Sequence, residues 1–275
     1  MDHSKLRETE EILLRLFTDR DYLNQVSSEG RLPDYPNYSF DRRGASIYAA
    51  VLQTNRLETM KAIYPRTARV LADQFERIIK DYGLALRKLV NSETAGAKNF
   101  LLNKLGFYFP KYFQLTEQQL SSNYPYLQNL IQFEAATAEL ADMAEKPETA
   151  QTDCVVSQTA KQEGFRVNPC LMIFPFQYDI AALIKAIDDS ENPGDLQFPA
   201  QELVMLMLRN PSTYKIRLLE INSLTALLIE YAAGGNRSIE DLTAIAQDHC
   251  LLPAESLNKH INILVEELKN EFVFV

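Results

Sequence analysis

The chain has 275 residues, of which 46% are hydrophobic and 24% are charged, and its formal net charge is −9 at pH 7. This length exceeds what one hydrophobic core usually organises, so we predict two domains. No apolar run approaches the roughly 18 residues that span a bilayer, which argues against a membrane protein, and three widely spaced cysteines do not make a disulfide framework.

The N-terminus is charged and lacks the basic, apolar and small-residue regions of a signal peptide, so we expect a cytoplasmic protein. The charge is uneven along the chain. Residues 1–88 hold 15 Lys or Arg against 13 Asp or Glu, whereas residues 89–275 hold 13 against 24. A basic helical surface in the first part can dock an acidic partner, and we assign that role to Arg56, Arg66 and Arg69.

The first domain is predicted to be all-helical, because its apolar residues recur at helical spacing. Pro65 is expected to separate two of its helices without breaking either, and the helix over 100–113 is expected to be interrupted or ended near Pro110. Helices are predicted over 4–26, 43–60, 66–89, 100–113 and 126–144. We place this domain at 1–146 and a linker, rich in Pro, Glu, Thr and Gln, at 147–164.

The second domain, 165–275, changes to strand-like patterns. Its first extended segment contains Pro169 and Pro175, which mark a bulge or an edge strand and not a central strand. The strands are expected at 165–176, 202–209 and 214–221, the last two forming a hairpin, and helices at 179–187, 223–233, 238–249 and 254–269. The predicted fold class is therefore α+β, mainly α, with a three-stranded sheet and helices in the C-terminal domain.

Two classes of small domain share this C-terminal layout. A winged-helix domain places a helix in the DNA major groove, whereas a leader-recognition domain adds an extended peptide to a sheet edge. For the second class we assign peptide binding to Tyr214, Lys215 and Arg217 on the last strand of the hairpin. For the first class, the helix at 254–269 has three acidic residues against Lys259, His260 and Lys269, and this balance disfavours binding to DNA.

The sequence contains no motif for catalysis, metal binding or phosphate binding. CxxC, HxxxH, HExxH, GxSxG, P-loop and GxGxxG patterns are missing, so we predict no catalytic residue, no metal ligand, no cofactor and no enzymatic activity. Glu134 lies between Phe133 and Ala135 on a predicted helix. We interpret it as a buried carboxylate in a structural ion pair with an arginine such as Arg56.

The helical domain contains a set of residues, in a particular order and spacing, that a generic helix bundle does not require. They are Tyr48, Arg56, Glu58, Tyr64-Pro65, Phe75, Tyr82, Gly106, Phe109, Tyr124-Pro125-Tyr126-Leu127 and Glu134. This pattern resembles the helical domain of a bacterial family labelled as DNA-binding domains. Some members of that family are partner subunits of multinuclear-iron enzymes that modify ribosomally made peptides, the methanobactin-type partner proteins among them.

The resemblance implies a non-catalytic accessory subunit. Such a protein works beside a separate iron-dependent, peptide-modifying enzyme and helps to hold the precursor peptide in the biosynthesis of a ribosomal peptide natural product. The alternative, which the family label suggests, is a DNA-binding transcriptional regulator that uses the C-terminal domain.

Overall fold

The computed structural model describes residues 12–13, 15–16, 18–29, 32, 42–93, 106–116, 118–143, 165–235 and 237–274. It is mainly helical with one three-stranded antiparallel sheet, which confirms the predicted α+β class. Two compact units alternate along the sequence: unit 1 is Met1–Ala135 with Ala186–Leu196, and unit 2 is Ala136–Lys185 with Gln197–Val275. We call Ala186–Leu196 the returning segment. The predicted linker, 147–164, lies outside the described residues.

The helical domain contains seven helices within the described ranges. They are α1 (Arg20–Glu29), α2 (Arg42–Ile63), α3 (Pro65–Leu71), α4 (Asp73–Glu93), α5 (Phe109–Thr116), α6 (Gln118–Asn123) and α7 (Leu127–Met143). Phe109 lies at the centre of an aromatic cluster and is fully buried. Its ring centroid is 4.9 Å from that of Tyr64, 5.3 Å from Tyr82, 6.3 Å from Phe75 and 6.1 Å from Phe113. Tilted and edge-to-face aromatic pairs add specificity to the burial of apolar area, so this cluster organises the unit.

Pro65 separates α2 from α3, as predicted. It occupies the first position of α3, where the absent N–H would have had no helical partner. The predicted single helix over 66–89 is wrong, because Ala72 interrupts it with φ 46° and ψ −125°. Alanine is the strongest helix former, so the sequence carries no sign of this break.

The helix predicted over 100–113, with an interruption or an end near Pro110, is also wrong at its boundary. It begins at Phe109 and continues to Thr116, so Pro110 lies in the first turn instead of at the end. A proline is tolerated there because the first N–H groups of a helix have no intrahelical acceptor. Residues 100–105 of the predicted helix lie outside the described ranges.

Gly106 is a position of close approach before α5. A Cβ atom added to it would lie 2.9 Å from Ile63 Cδ1, and its carbonyl oxygen accepts a 2.6 Å hydrogen bond from the buried Tyr64 hydroxyl. We expect Gly106→Ala to lower the free energy of unfolding by about 1–3 kcal/mol, measured by urea denaturation. Gln114→Ala on the exposed side of α5 is the control, expected within about 0.5 kcal/mol of the parent. An equally small effect of Gly106→Ala would contradict the close packing.

The sheet of unit 2 has the strand order β1-β2-β3, with both pairs antiparallel. The strands are β1 (Leu171–Phe176), β2 (Leu203–Arg209) and β3 (Ile216–Ile221). The helix α8 (Ile180–Asp189) and a short 3₁₀ turn (Pro193–Asp195) lie between β1 and β2 in sequence. β2 is the central strand, so the predicted hairpin and the predicted edge position of the proline-containing strand are confirmed.

Three helices follow the sheet, as predicted: α9 (Ser223–Ala233), α10 (Ile239–Gln247) and α11 (Ala254–Asn270). Ser238 caps α10 in a reciprocal capping box with Asp241, which confirms the expected serine cap. One apolar cluster joins these helices to one face of the sheet. Its members include Leu206, Leu208, Leu228, Ile229, Leu242, Leu257, Ile261 and Val265.

Candidate peptide-binding edge

The outer edge of β3 carries backbone groups that point away from the sheet. Asn210 N–H donates to Lys215 O at 2.9 Å, which identifies 210 and 215 as a hydrogen-bonded pair. Because such pairs alternate in antiparallel strands, Arg217, Leu219 and Ile221 also bond inward to β2. The N–H and C=O groups of Ile216, Leu218 and Glu220 therefore point outward. Within the described ranges, no hydrogen bond outside the β2–β3 ladder involves any of these six groups.

The opposite edge of the sheet is less open. Arg209 N–H donates to Cys170 O, so Leu171, Ile173 and Pro175 of β1 are the residues whose backbone groups face outward. Pro175 has no N–H to offer. Proline on an edge strand is a common protection against strand addition, and β3 contains none. Among the residues that the structure describes, β3 therefore forms the continuous edge that could take an added strand.

Two of the three residues predicted to bind peptide lie in the turn before β3, so their assignment to the strand is wrong. Tyr214 adopts φ 58° and donates its N–H to Asn210 O at 2.8 Å. The Asn210 side-chain oxygen accepts the N–H groups of Ser212 and Thr213, each at 2.9 Å. This turn extends through Lys215, because an asparagine side chain can replace backbone partners in a tight turn. Tyr214 lies in this turn with 64% of its surface exposed to solvent.

Arg217 is the third predicted residue, and it does lie on β3. Its backbone bonds inward to β2, and its guanidinium forms a close ion pair with Glu271 at the end of α11. It therefore offers no outward main-chain group to a peptide. Ile216, Leu218 and Glu220 supply those groups, and sequence reasoning missed them. The parity of residues along the strand, counted from the Asn-Pro turn, was the signal that could have found them.

Two of the arginines predicted to dock a partner hold the returning segment instead. Arg66 donates from Nε and Nη2 to the Asp188 carboxylate, the shorter contact being 2.7 Å. Arg69 Nη2 donates to Ser190 O at 2.9 Å, and its Nη1 lies 3.6 Å from Asp188 Oδ1. Both side chains remain partly exposed, so contact with a partner stays a prediction, but their charges already have an internal counterion.

Arg56, the third, is half-buried and packs against α4 of the helical unit. A Cβ atom at Gly83 would fall 1.5 Å from Arg56 Nη1, so the guanidinium occupies the space that this glycine leaves on α4. Burial lowers the pKa of Arg56, and the neighbouring Tyr82 acts in the opposite direction. A side chain in this position is poorly suited to docking, because it would have to leave its packing site.

The predicted ion pair between Glu134 and Arg56 is wrong, although Glu134 is buried as expected. Its Oε1 accepts Arg66 N–H at 2.8 Å, and its Oε2 accepts both the N–H and the hydroxyl of Thr67, at 3.2 and 2.7 Å. These are the second and third residues of α3, where backbone N–H groups lack helical acceptors. Glu134 thus caps α3 from a different helix, α7.

Burial and hydrogen bonding act on the Glu134 carboxyl in opposite directions. Burial is the larger effect and raises the pKa of Glu134 from its ordinary 4.5 to about 7, while the bonds from Thr67 and Arg66 oppose it. The same carboxylate and, above all, burial raise the pKa of Tyr64 far above its usual range. The folded protein therefore holds a proton on Glu134 at a pH where the unfolded chain has released it.

We expect a stability that depends on pH through this group. Since the pKa of Glu134 is raised on folding, its contribution is complete below pH 4.5 and is lost as the pH rises through 7. The loss between pH 5.5 and 8 is about 2 kcal/mol relative to Glu134→Gln, which cannot ionise. Urea denaturation of both proteins at the two pH values measures it. A difference between them that does not change with pH would refute the raised pKa.

The remaining signature residues are structural in unit 1. Tyr126 donates its hydroxyl to Pro193 O of the returning segment at 3.2 Å, and burial raises the pKa of Tyr126 to about 12. Leu127 is fully buried and donates its N–H to Tyr124 O at 2.9 Å, while Pro125 between them is exposed. The Tyr-Pro-Tyr-Leu sequence therefore starts α7 and fixes the returning segment. The side chain of Tyr48 lies outside the described part of the chain.

Within the described residues, no group of three or more His, Cys, Asp or Glu side chains has the arrangement of a metal site. Among the same residues, no helix combines the length and apolar character that crossing a bilayer requires. Cys170 and Cys250 are free thiols. The feature that stands out chemically is therefore the open strand edge, whose donors and acceptors suit another extended backbone.

In comparisons with known proteins, the chain matches no protein-family model and no curated protein sequence.

Proposed function

We propose that this chain is a non-catalytic accessory subunit that binds a precursor peptide as an added strand on β3. The observation that supports this proposal is the set of outward N–H and C=O groups of Ile216, Leu218 and Glu220, on an edge strand that contains no proline. An extended peptide that pairs antiparallel with β3 makes up to six main-chain hydrogen bonds with these three residues. Such binding tolerates many side chains, as recognition of a precursor peptide requires.

Main-chain pairing alone gives weak binding. Each hydrogen bond contributes a net stabilisation of about 0.5–1.5 kcal/mol, whereas association costs roughly 4–15 kcal/mol before the peptide is ordered. Side chains flanking the edge must therefore supply the rest. Tyr214 and Lys215 in the turn are exposed and lie beside the start of β3, so their predicted role in peptide binding is retained in this form.

The second half of the proposal is a multinuclear-iron enzyme as the partner, in the cytoplasm. It rests on the resemblance of the helical-domain pattern to the partner subunits of such enzymes. Arg66 and Arg69 are the better docking candidates of the three arginines, because their guanidinium groups are partly exposed, whereas Arg56 is packed over Gly83.

A DNA-binding regulator is the second candidate, suggested by the family label. Its electrostatics are unfavourable: residues 223–271, which include all three helices after the sheet, contain eight Asp or Glu and three Lys or Arg. Binding to the phosphate backbone depends on basic residues, so this surface would repel a duplex.

Co-purification from the native gene neighbourhood tests the proposal. The tagged full chain is isolated together with Leu218→Pro and Leu218→Ala variants, followed by mass spectrometry, metal analysis and analysis of bound nucleic acid. We expect a short peptide with the parent and the alanine variant but not with the proline variant, and an iron-loaded protein with all three. Retention of DNA, with neither peptide nor iron protein, would replace the proposal with the regulator.

A further inference from the structure

The hairpin that leads into β3 is a basic patch in an acidic unit. Unit 2 contains 17 Asp or Glu and 10 Lys or Arg in total. Between residues 203 and 219, however, there are three basic residues (Arg209, Lys215 and Arg217) and no acidic one. At the other end of the same strands lie Glu202 and Glu220, both exposed. The charge along the open edge thus changes from positive at the start of β3 to negative at its end.

Two of the basic residues have no carboxylate partner within the described ranges. Arg209 donates from Nη1 to the carbonyl oxygens of Leu140 and Ala141, at 3.3 and 2.7 Å, and its guanidinium lies 5.0 Å from the centre of the Tyr214 ring. Its Nε is buried without an acceptor. Lys215 is exposed and forms no ion pair with any residue that the structure describes. Arg217 differs, because Glu271 balances its charge.

The turn holds these groups in place. Asn210 is buried and receives hydrogen bonds from three backbone N–H groups, those of Ser212, Thr213 and Tyr214, with distances of 2.8 to 2.9 Å. Tyr214 adopts a left-handed backbone conformation, with φ 58°, which is rare for aromatic residues. Strained and exposed residues in well-bonded turns are found at binding sites, because the fixed geometry lowers the cost of ordering on binding.

We infer that the peptide that pairs antiparallel with β3 carries acidic side chains in its C-terminal half. The inference rests on the proposed function. An antiparallel strand places its C-terminal half beside the start of β3, where Arg209, Lys215 and Tyr214 lie, and its N-terminal half beside Glu220. Antiparallel pairing is the more stable of the two orientations, and opposite charges across neighbouring strands stabilise it.

A displayed library of random peptides tests this inference. The library is selected on the full-length chain and counter-selected on Leu218→Pro, so that only peptides using the edge remain. We expect enrichment of Asp and Glu in the C-terminal half. Lys215→Glu is expected to bind the selected peptides about tenfold more weakly, since it changes a local attraction to repulsion. Lys259→Glu is the control, because it makes the same change of net charge away from the edge. Lys259 lies on α11, about three helical turns before Glu271, the residue that pairs with Arg217 of β3.

The possible outcomes separate the inference from the proposed function. Acidic enrichment in the N-terminal half would overturn the antiparallel orientation. Selected peptides without acidic bias, bound equally by the parent and Lys215→Glu, would overturn the charge preference and leave strand addition intact. If no peptide distinguishes the parent from Leu218→Pro, strand addition itself fails and the inference fails with it.

Discussion

Replacing Leu218 with proline is expected to abolish the capture of extended peptides, while replacing it with alanine leaves affinity within about threefold. Leu218 is the middle of the three residues whose backbone faces outward, and it does not donate to β2. Proline removes the outward N–H, and its ring occupies the position of an incoming strand. The N–H and C=O contacts of residue 218 with the peptide are therefore both lost. At least a tenfold weakening follows, measured by fluorescence anisotropy with labelled peptides from the displayed library.

Alanine is the matched control, because both substitutions lose the same partly buried leucine side chain but only proline loses the N–H. Thermal unfolding monitored by circular dichroism must show that the proline variant is folded at the assay temperature. Equal affinity of the two folded variants would show that β3 is not the binding edge. Equal weakening would assign binding to the Leu218 side chain instead of the backbone.

Glu134→Ala is expected to cause the largest loss of stability, about 3–5 kcal/mol at pH 6. The oxygens of the Glu134 carboxyl group accept hydrogen bonds from Arg66 N–H, Thr67 N–H and the Thr67 hydroxyl, and Thr67 is fully buried. Alanine leaves three donors without an acceptor in a site closed to water, and it removes the cap of α3. Urea denaturation of the purified variant measures the loss.

Glu134→Gln separates the cap from the charge. Its side-chain oxygen can still accept from one or two of the donors, so it is expected to lose less than half as much stability as alanine. If glutamine and alanine are equally destabilising, both side-chain oxygens of Glu134 are required as acceptors. If neither changes stability by more than about 1 kcal/mol, the three hydrogen bonds do not support α3.

The sequence predicted the C-terminal sheet well because its local signals agree. Asn210 and Pro211 mark a turn between two β-rich runs, and Pro175 marks an edge strand. Ser238 with Asp241 marks the start of α10. Each signal involves residues within a few positions of one another, so no information about distant contacts was needed.

The site could be predicted less completely for a physical reason. Tyr214, Lys215 and Arg217 lie on the hairpin that the sequence predicted, yet which of its backbone groups face outward depends on the pairing register. A shift of one residue exchanges the two sets, and only the pairing of β3 with β2 in the folded sheet fixes which set faces outward. The backbone groups of Ile216, Leu218 and Glu220 have no side-chain signature at all.

By itself, the sequence determined that this protein is mainly helical with a small antiparallel sheet, and that Glu134 is buried in a structural role. Periodicity, prolines and caps are local, and they fix secondary structure. Only the tertiary structure decided that Glu134 caps α3 instead of pairing with Arg56, and that Arg66 and Arg69 hold Asp188 and Ser190. These partners are 67 to 122 residues apart in sequence, and which charged group meets which donor depends on how the helices pack.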